Sequence, residues 1–478
     1  SVALDYVSQE VDKLGLSQVS LDQRSATELS GYTEGQFDTV ILNSVILNFP
    51  NERYLTDVLT RASRLVRPGG TIFVGDVRDI RNQELLETSV HMHKTRSNLA
   101  CGSLRQIISR AVEQEEERLV DPTYFFALQK AVPGIGDVEI HLERGRNDNE
   151  MSKFRYDAIL HVSDERSRSA GAVRWIDWVA DPMPAARLQE MLDEAPDGMI
   201  GLRNVRNARL QVEVAAQGLL QSEFAGTVRE LRREARSSAA STPAVDPEEF
   251  WSLGDRQGRD VQVRCAASGD VRDFDVVFFP SGERQAAFRI PGCDLDAAEP
   301  TAAYVSDPLL AKQRRLLTAN VRRYLATSLP AYMIPSAFMV MDRFPLSPNG
   351  KLNRRALPAP DNLRPEIDQE YVAPATELEE VAAEIWCDCL GLDRVGVLDR
   401  FIDLGGNSLL ATQVAARVRD VFDIEMTIAT GAEITLRGFV EAIEASADAT
   451  GRDAMETARA YVEVRDMTDE ELLTQLQA

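Results

Sequence analysis

Three strings near the start of the chain, FDTVILNSVIL, ERYLTDVLTRASRLV and TIFVGDV, constrain the fold more than any other feature. The first and third are short, apolar and rich in β-branched residues, as strands buried on both faces are. Between them Leu55, Val58, Leu59, Ala62, Leu65 and Val66 recur at helical spacing, and RPGG reads as the stop that closes the helix. Strand, helix, strand in this order predicts a right-handed parallel crossover in a doubly wound α/β sheet. A helix from Ala3 to Leu14 and a short strand at VSLDQ are expected before it. Farther along, DVEIHLERG and FRYDAILHV flank the polar stretch RNDNEMSK, an antiparallel hairpin that makes the sheet mixed.

At 478 residues the chain exceeds one ordinary core, and two to four domains are expected. From Asp164 to Phe279 strand and helix patterns alternate around Trp175, Trp178 and Trp251, with the Ser/Ala/Pro-rich break SSAASTPAVDP read as a linker or exposed loop. Residues 307–357 are too few to bury a core alone. After the Pro-rich LPAPDNLRPE, Leu378, Val381, Ala382, Ile385 and Trp386 share one helical face, and two more helical strings follow, which predicts a small bundle. The tail MTDEELLTQLQA has capping-box spacing at Thr468 and Glu471, consistent with a short docking helix.

The formal net charge of -23 disfavours nucleic acid and acidic lipid surfaces, because both are bound through Lys and Arg. Five sparse cysteines (Cys101, Cys265, Cys293, Cys387 and Cys389) do not form a disulfide framework and fit a reducing cytoplasm. The longest apolar run, VILNSVILNF, is broken by Asn43 and Asn48, too short to span a membrane. The opening at Ser1, directly inside a helical pattern, reads as a fragment of something longer.

Two short motifs carry chemistry. In FIDLGGNSLLATQV, Gly405 and Gly406 make a turn and Ser408 opens an amphipathic helix, at the positive end of its dipole, where a phosphodiester is welcome. The plain alternative is that Asn407 or Ser408 only caps the helix. A hydrolase elbow is excluded, because Leu409 and Leu410 follow the serine and no histidine is near. In PLSPNGKLNRRALP, Asn349 and Gly350 favour a tight turn with Lys351 beside its tip, which on those residues alone is better explained by a solvated hairpin lysine.

In their whole context these strings resemble parts of a nonribosomal peptide synthetase. DLGGNSLL within its helical surroundings resembles a peptidyl carrier domain over residues 373–447, which implies phosphopantetheine attachment at Ser408. LPAYMIP followed by PLSPNGKLNRRALP resembles the end of an adenylation domain's small α+β subdomain, over residues 291–359. There the lysine matching Lys351 contacts the amino-acid carboxylate and the nucleotide phosphate. GQFDTVILNSVILNFP, LVRPGGTIFVGDVR, LVDPTYFFAL and RGRNDNEMSKFRYDAILHV resemble, in that order, the S-adenosylmethionine-dependent N-methyltransferase inserted in such adenylation domains. The resemblance implies a Rossmann-like class I methyltransferase over residues 1–290, lacking its first strands, with Ser25 and Ala26 bordering the adenine and Asn43 and Ser44 beside the methionine moiety.

Two departures are visible: Ser25 stands where the family often has an acidic residue, and Leu47, Asn48, Phe49 and Pro50 stand where Gln-Tyr-Phe-Pro is common. The glycine-rich cofactor turn and the ribose-binding acid are not in the sequence, so tight binding of S-adenosylmethionine by this chain alone is not expected. Residues 360–372 are then a linker and 448–478 a linker or docking helix. The resemblance also implies ATP and magnesium for the complete adenylation domain, and as partners the upstream large subdomain, neighbouring synthetase domains and a phosphopantetheinyl transferase. The expected function is to tether an amino acid as a thioester and methylate its amine; a free-standing small-molecule methyltransferase and a polyketide-type C-methyltransferase are the alternatives. Among the remaining residues, His91 and His93 read as packing groups and the run Glu113 to Glu117 as a wet helix face. Arg144, Arg146, Glu150, Arg155 and Tyr156 are equally explained by a solvated hairpin.

Overall fold

The computed structural model describes residues 2–163, 173–180, 182–183, 185–280, 301–329, 351–357, 369–426 and 434–466, with isolated positions between 333 and 367. They form two compact units, residues 1–101 with 115–309 and residues 102–114 with 310–478.

The first unit opens with helix α1 (Val2–Lys13), then strand β1 (Phe37–Asn43), helix α2 (Glu52–Leu65) and strand β2 (Val66–Arg78). β1 and β2 pair in parallel, the crossover that the apolar runs predict. Two local expectations fail. VSLDQ is not a strand, because its backbone bonds locally, as in Val19 N–H to Leu16 O at 3.1 Å. RPGG does not end a helix in a turn but lies inside β2. A Cβ at Gly70 would stand 2.4 Å from the Asp38 carbonyl, so glycine lets the two strands approach where their register shifts.

Helices α3 (Gln83–Lys94), α4 (Cys101–Glu113) and α5 (Thr123–Ala131) follow, of which α4 groups largely with the second unit. Strand β3 (Ile135–Leu142), the short helix α6 (Glu150–Phe154) and strand β4 (Arg155–Val162) complete a sheet of order β1-β2-β4-β3. β4 is antiparallel to both neighbours, the hairpin that closes the mixed sheet. Its core joins α2, α5 and the sheet through Ile46, Leu55, Leu59, Ile72, Phe125 and Tyr156.

A second sheet lies in the same unit. Strand β5 (Val173–Asp177), helix α7 (Ala185–Glu194), strand β6 (Met199–Arg206), helices α8 (Gln211–Gln221), α9 (Val228–Ser241) and α10 (Pro247–Gln257), and strands β7 (Val261–Cys265) and β8 (Asp273–Phe278) give the order β5-β6-β8-β7. Of the stretch read as a break, SSAAS ends α9, whose capping box at Thr227 and Glu230 starts it, and TPAVD is the short irregular connection to α10.

Helix α11 (Pro308–Ser328) leads to a short antiparallel bridge between Leu346 and Leu352; Asn349 and Gly350 lie outside the described residues, as does the tail string MTDEELLTQLQA. Helices α12 (Glu377–Leu390), α13 (Ser408–Phe422), α14 (Leu436–Ala449) and α15 (Ala454–Asp466) then form a bundle around Trp386, Phe401 and Phe439. α15, in the segment expected to be a linker or docking helix, instead packs as the fourth helix of the three- or four-helix bundle expected, burying Ala454 and Ala458. Among the described residues no helix is long and apolar enough to cross a membrane.

The segment expected to be a plain linker is anchored to this bundle. Arg364 donates to both carboxylate oxygens of the fully buried Asp399, its Nε at 2.6 Å, and Asp399 also accepts the Gly396 N–H at 2.7 Å. Removing one partner of such a pair strands a buried charge at a cost of about 3–5 kcal/mol. Arg364→Ala should therefore lower the chemical denaturation midpoint of the bundle strongly. Arg452→Ala, which removes a partner of the exposed Asp423, should leave it within error.

Candidate functional site

The carboxyl ends of β1 and β2 form a polar edge at the place where open α/β sheets bind ligands. Ser44, which follows β1, and Asp76, two residues before the end of β2, both take left-handed backbone, with φ of 56° and 63°. Neither is glycine, and such conformations cost energy and gather at functional sites. Between them Gly75 is needed for space: a Cβ there would lie 2.2 Å from the Asn43 amide oxygen. Ser44 donates its hydroxyl to Asp76 Oδ2 at 2.6 Å, and the Asn43 amide donates to Ser44 Oγ at 3.2 Å.

Asp76 organises a ring of charge. Its Oδ1 accepts from Arg155 at 2.6 Å, and Arg155 also binds Glu150 at 2.6 Å. Its backbone N–H donates to Asp157 Oδ1 at 3.0 Å. Glu143 shares a hydrogen bond with Asp157; burial first, then repulsion from Asp157 and Asp76, pushes it up to about 7 against the pull of Arg155. The result is a Glu143 carboxyl poised to hold or take a proton near neutrality.

Asn43 and Ser44 thus belong to this polar edge, where a side chain at position 75 would collide with the Asn43 amide. Ser25 lies in an exposed loop, where its Oγ meets Thr27 Oγ1 at 3.2 Å, while Ala26 packs on the core. Glu150 and Arg155, which a solvated hairpin could have explained, belong to the ring. Tyr156 does not: it is buried and donates to the Val120 carbonyl at 2.8 Å. Arg144 turns to Glu248 and Asp255, and Arg146 to Ser252. The acidic run is not a wet helix face either, since Glu115 and Glu117 each pair with the buried Arg78 at 2.7 Å. Asp76, Glu143 and Asp157 escaped sequence reading, because an aspartate ending a strand and two acids in a hairpin look like ordinary polar positions.

In the bundle, Gly405 has a φ of 93°, and a Cβ on Gly406 would meet the Phe401 ring at 2.3 Å. The tight turn delivers the start of α13. Asn407 is the cap, its side-chain oxygen accepting from Leu409 N–H at 3.0 Å and Leu410 N–H at 3.1 Å. Ser408 is exposed at the first helical position, and among the described residues its Oγ takes no hydrogen bond. Capping is therefore done by the neighbour, and the serine hydroxyl is left for chemistry. Lys351 is also exposed, beside the Leu346–Leu352 bridge.

A Rossmann-type half-sheet with a polar carboxyl edge, followed by a four-helix unit presenting a serine at a helix start, defines a methyltransferase domain coupled to a carrier domain. Comparison with known families agrees: residues 1–74 match the methyltransferase domain and residues 380–443 the phosphopantetheine attachment site. These domains take S-adenosylmethionine and 4'-phosphopantetheine. The chain is 38% identical over 410 residues to chondramide synthase cmdD of Chondromyces crocatus, covering 84% of this chain and 10% of that protein. It is 30% identical over 439 residues to the probable non-canonical nonribosomal peptide synthetase CymA of Salinispora arenicola, covering 89% and 5%. With cyclosporin synthetase simA of Tolypocladium inflatum it shares 31% over 398 residues, covering 79% and 3%. The chain is thus homologous to a segment of nonribosomal peptide synthetases and spans a tenth or less of the length of these relatives.

Because the native carboxyl of Glu143 binds its proton up to about 7 and an unfolded one only near 4.5, the folded state holds the extra proton in between. The stability that this proton contributes is complete below 4.5 and is lost as pH rises to 7. Urea midpoints of the wild type should fall over that window relative to Glu143→Gln, and carbon-detected NMR should place the Glu143 carboxyl midpoint near neutrality.

Proposed function

We propose that, as part of a longer synthetase that supplies the glycine-rich cofactor turn and the ribose-binding acid, the chain holds an amino acid as a thioester on a phosphopantetheine arm at Ser408 and methylates its α-amine at the carboxyl edge of β1 and β2. The single observation that carries the carrier half is the division of labour at α13, where Asn407 caps and Ser408 stays exposed. The positive end of a helix favours the phosphodiester to be made there.

For the transfer itself, bound S-adenosylmethionine supplies a methyl group activated on a sulfonium. Asn43 and Ser44 would hold its methionine end, with Ser25 and Ala26 bordering the adenine. The acids Asp76, Asp157 and Glu143 attract the substrate amine in its charged form, and the Glu143–Asp157 pair accepts the proton that the amine must lose. Arg155 holds Asp76 and Glu150 in place, so that alignment supplies most of the rate. Lys351 is assigned to amino-acid adenylation, where its charge would steady the transferring phosphoryl group when ATP, magnesium and a large adenylation subdomain are present. Residues 1–290, 291–359 and 373–447 are the proposed methyltransferase, adenylation and carrier segments, the carrier being extended by Arg364 of the preceding connection and by α15. A reducing cytoplasm containing a phosphopantetheinyl transferase is the fitting compartment.

Co-expression with a phosphopantetheinyl transferase should add the mass of one phosphopantetheine to the peptide containing Ser408, and Ser408→Ala should abolish the gain; an unmodified wild-type peptide would overturn the reading. Asn407→Ala should keep the modification while lowering stability by about 1 kcal/mol through loss of the cap.

A further inference from the structure

The two sheets of the first unit repeat one another strand for strand. Both run parallel, then antiparallel twice, in the orders β1-β2-β4-β3 and β5-β6-β8-β7. The details recur as well. Left-handed Asp76 donates its N–H to Asp157, and left-handed Asn204 donates its N–H to Asp275, both at 3.0 Å. Val120 N–H reaches Arg78 O, and Val245 N–H reaches Arg206 O, both at 2.9 Å. Once aligned on these pairs, VGDVRDIRNQ (74–83) lies on LRNVRNARLQ (202–211), and VDPTYFFAL (120–128) on VDPEEFWSL (245–253).

The copies also face each other as a two-fold pair does, with equivalent groups meeting across the axis. Helices α3 and α8 pack together, as do β3 and β7. Gln262 donates to its own counterpart Glu139 at 2.9 Å. Ala100 and Thr227 form an antiparallel bridge whose two bonds, Cys101 N–H to Gly226 O and Val228 N–H to Leu99 O, are both 2.9 Å.

The symmetry breaks in two places. Where copy one keeps Gly75, beside which the Asn43 amide leaves no room for a Cβ, copy two has Arg203, whose guanidinium lies 4.3 Å from the centre of the Trp175 ring. At the interface, Leu85 and Val271 share a small apolar cluster on one side of the axis. At the equivalent places on the other side stand the buried Glu213 and the half-buried Lys153, paired at 2.9 Å, with Lys153 also reaching the exposed Asp148 at 2.7 Å. The apolar version shows that the fold does not need an ion pair there, and a buried pair is often no more stable than its apolar replacement. What the pair grips is the 143–155 segment, which carries Glu143, Glu150 and Arg155. Arg209 grips the same segment through the carbonyls of Glu143 at 2.9 Å, Gly145 at 2.6 Å and Ser152 at 3.1 Å.

We propose that residues 173–279 are a degenerate second copy of the half-domain at 37–162, acting in cis as its symmetric partner, with Arg209 and Glu213 as positioning residues for the 143–155 segment of the transfer site. The positioning role rests on the methyl-transfer reading for its kinetic consequence, but its first readout does not.

In the full-length protein, Lys153→Val with Glu213→Leu copies the apolar side of the axis. The expected result is a Tm unchanged or raised, with amide exchange in 143–155 roughly tenfold faster and that of 266–272 unchanged. The same variant should lower kcat for transfer to an aminoacyl-pantetheine thioester while the KM for S-adenosylmethionine holds. Arg209→Lys, which keeps the charge and loses the fork, should give the same confined acceleration, so the inference stays testable if the double variant does not fold. Exchange in 143–155 that matches wild type, or acceleration spread evenly over both copies, would overturn it. Confined acceleration without any methyl transfer in the wild type would instead count against the transfer reading alone.

Discussion

The bond from the Asp76 backbone to the Asp157 carboxylate is the constraint on which the first unit's chemistry depends. It occupies the point where β2 leaves regular pairing with β4, so Asp76 can turn left-handed without stranding its N–H. That turn aims the Asp76 carboxylate at Ser44 on one side and Arg155 on the other. It also brings Asp157 beside Glu143, whose raised proton affinity follows from burial and crowding of negative charge. The recurrence of the same bond at Asn204 and Asp275 shows that it is an architectural device first, around which copy one alone gathers Ser44 and Arg155 on Asp76.

The elements that sequence periodicity predicts are those whose stability is local or amphipathic: the β1–α2–β2 crossover, the β3–β4 hairpin and the carrier bundle. Strand and helix periods differ enough there for side-chain patterning to decide. VSLDQ fails because a strand needs a hydrogen-bonding neighbour, which no pattern within five residues can specify. RPGG misleads because its glycines serve the close approach of β1 and β2, a tertiary demand with the composition of a turn. The carboxyl ring was illegible for a similar reason: Asp76, Glu143 and Asp157 are far apart in sequence, and each is individually plausible on a surface. The duplication left a readable signal in the two VDP strings and in VRD against VRN, but unequal loops between the copies blur any fixed period.

At α13 the sequence leaves two candidates for one job, and geometry separates them. Asn407 holds two backbone N–H groups, so the first turn is satisfied without Ser408. Gly406 has no room for a side chain against Phe401, which fixes the turn that exposes the serine. The bundle's stability, in contrast, leans on the ion pair of Arg364 and Asp399, which involves neither Asn407 nor Ser408.

The most direct test is to load the full-length protein with an aminoacyl-phosphopantetheine arm, supply S-adenosylmethionine with a deuterated methyl group, and weigh the arm released from the peptide containing Ser408. The account predicts one labelled methyl on the amine of the tethered amino acid, greatly reduced in Asp76→Asn although the arm is still attached. A label on carbon, or full labelling of the Asp76→Asn protein, would contradict it.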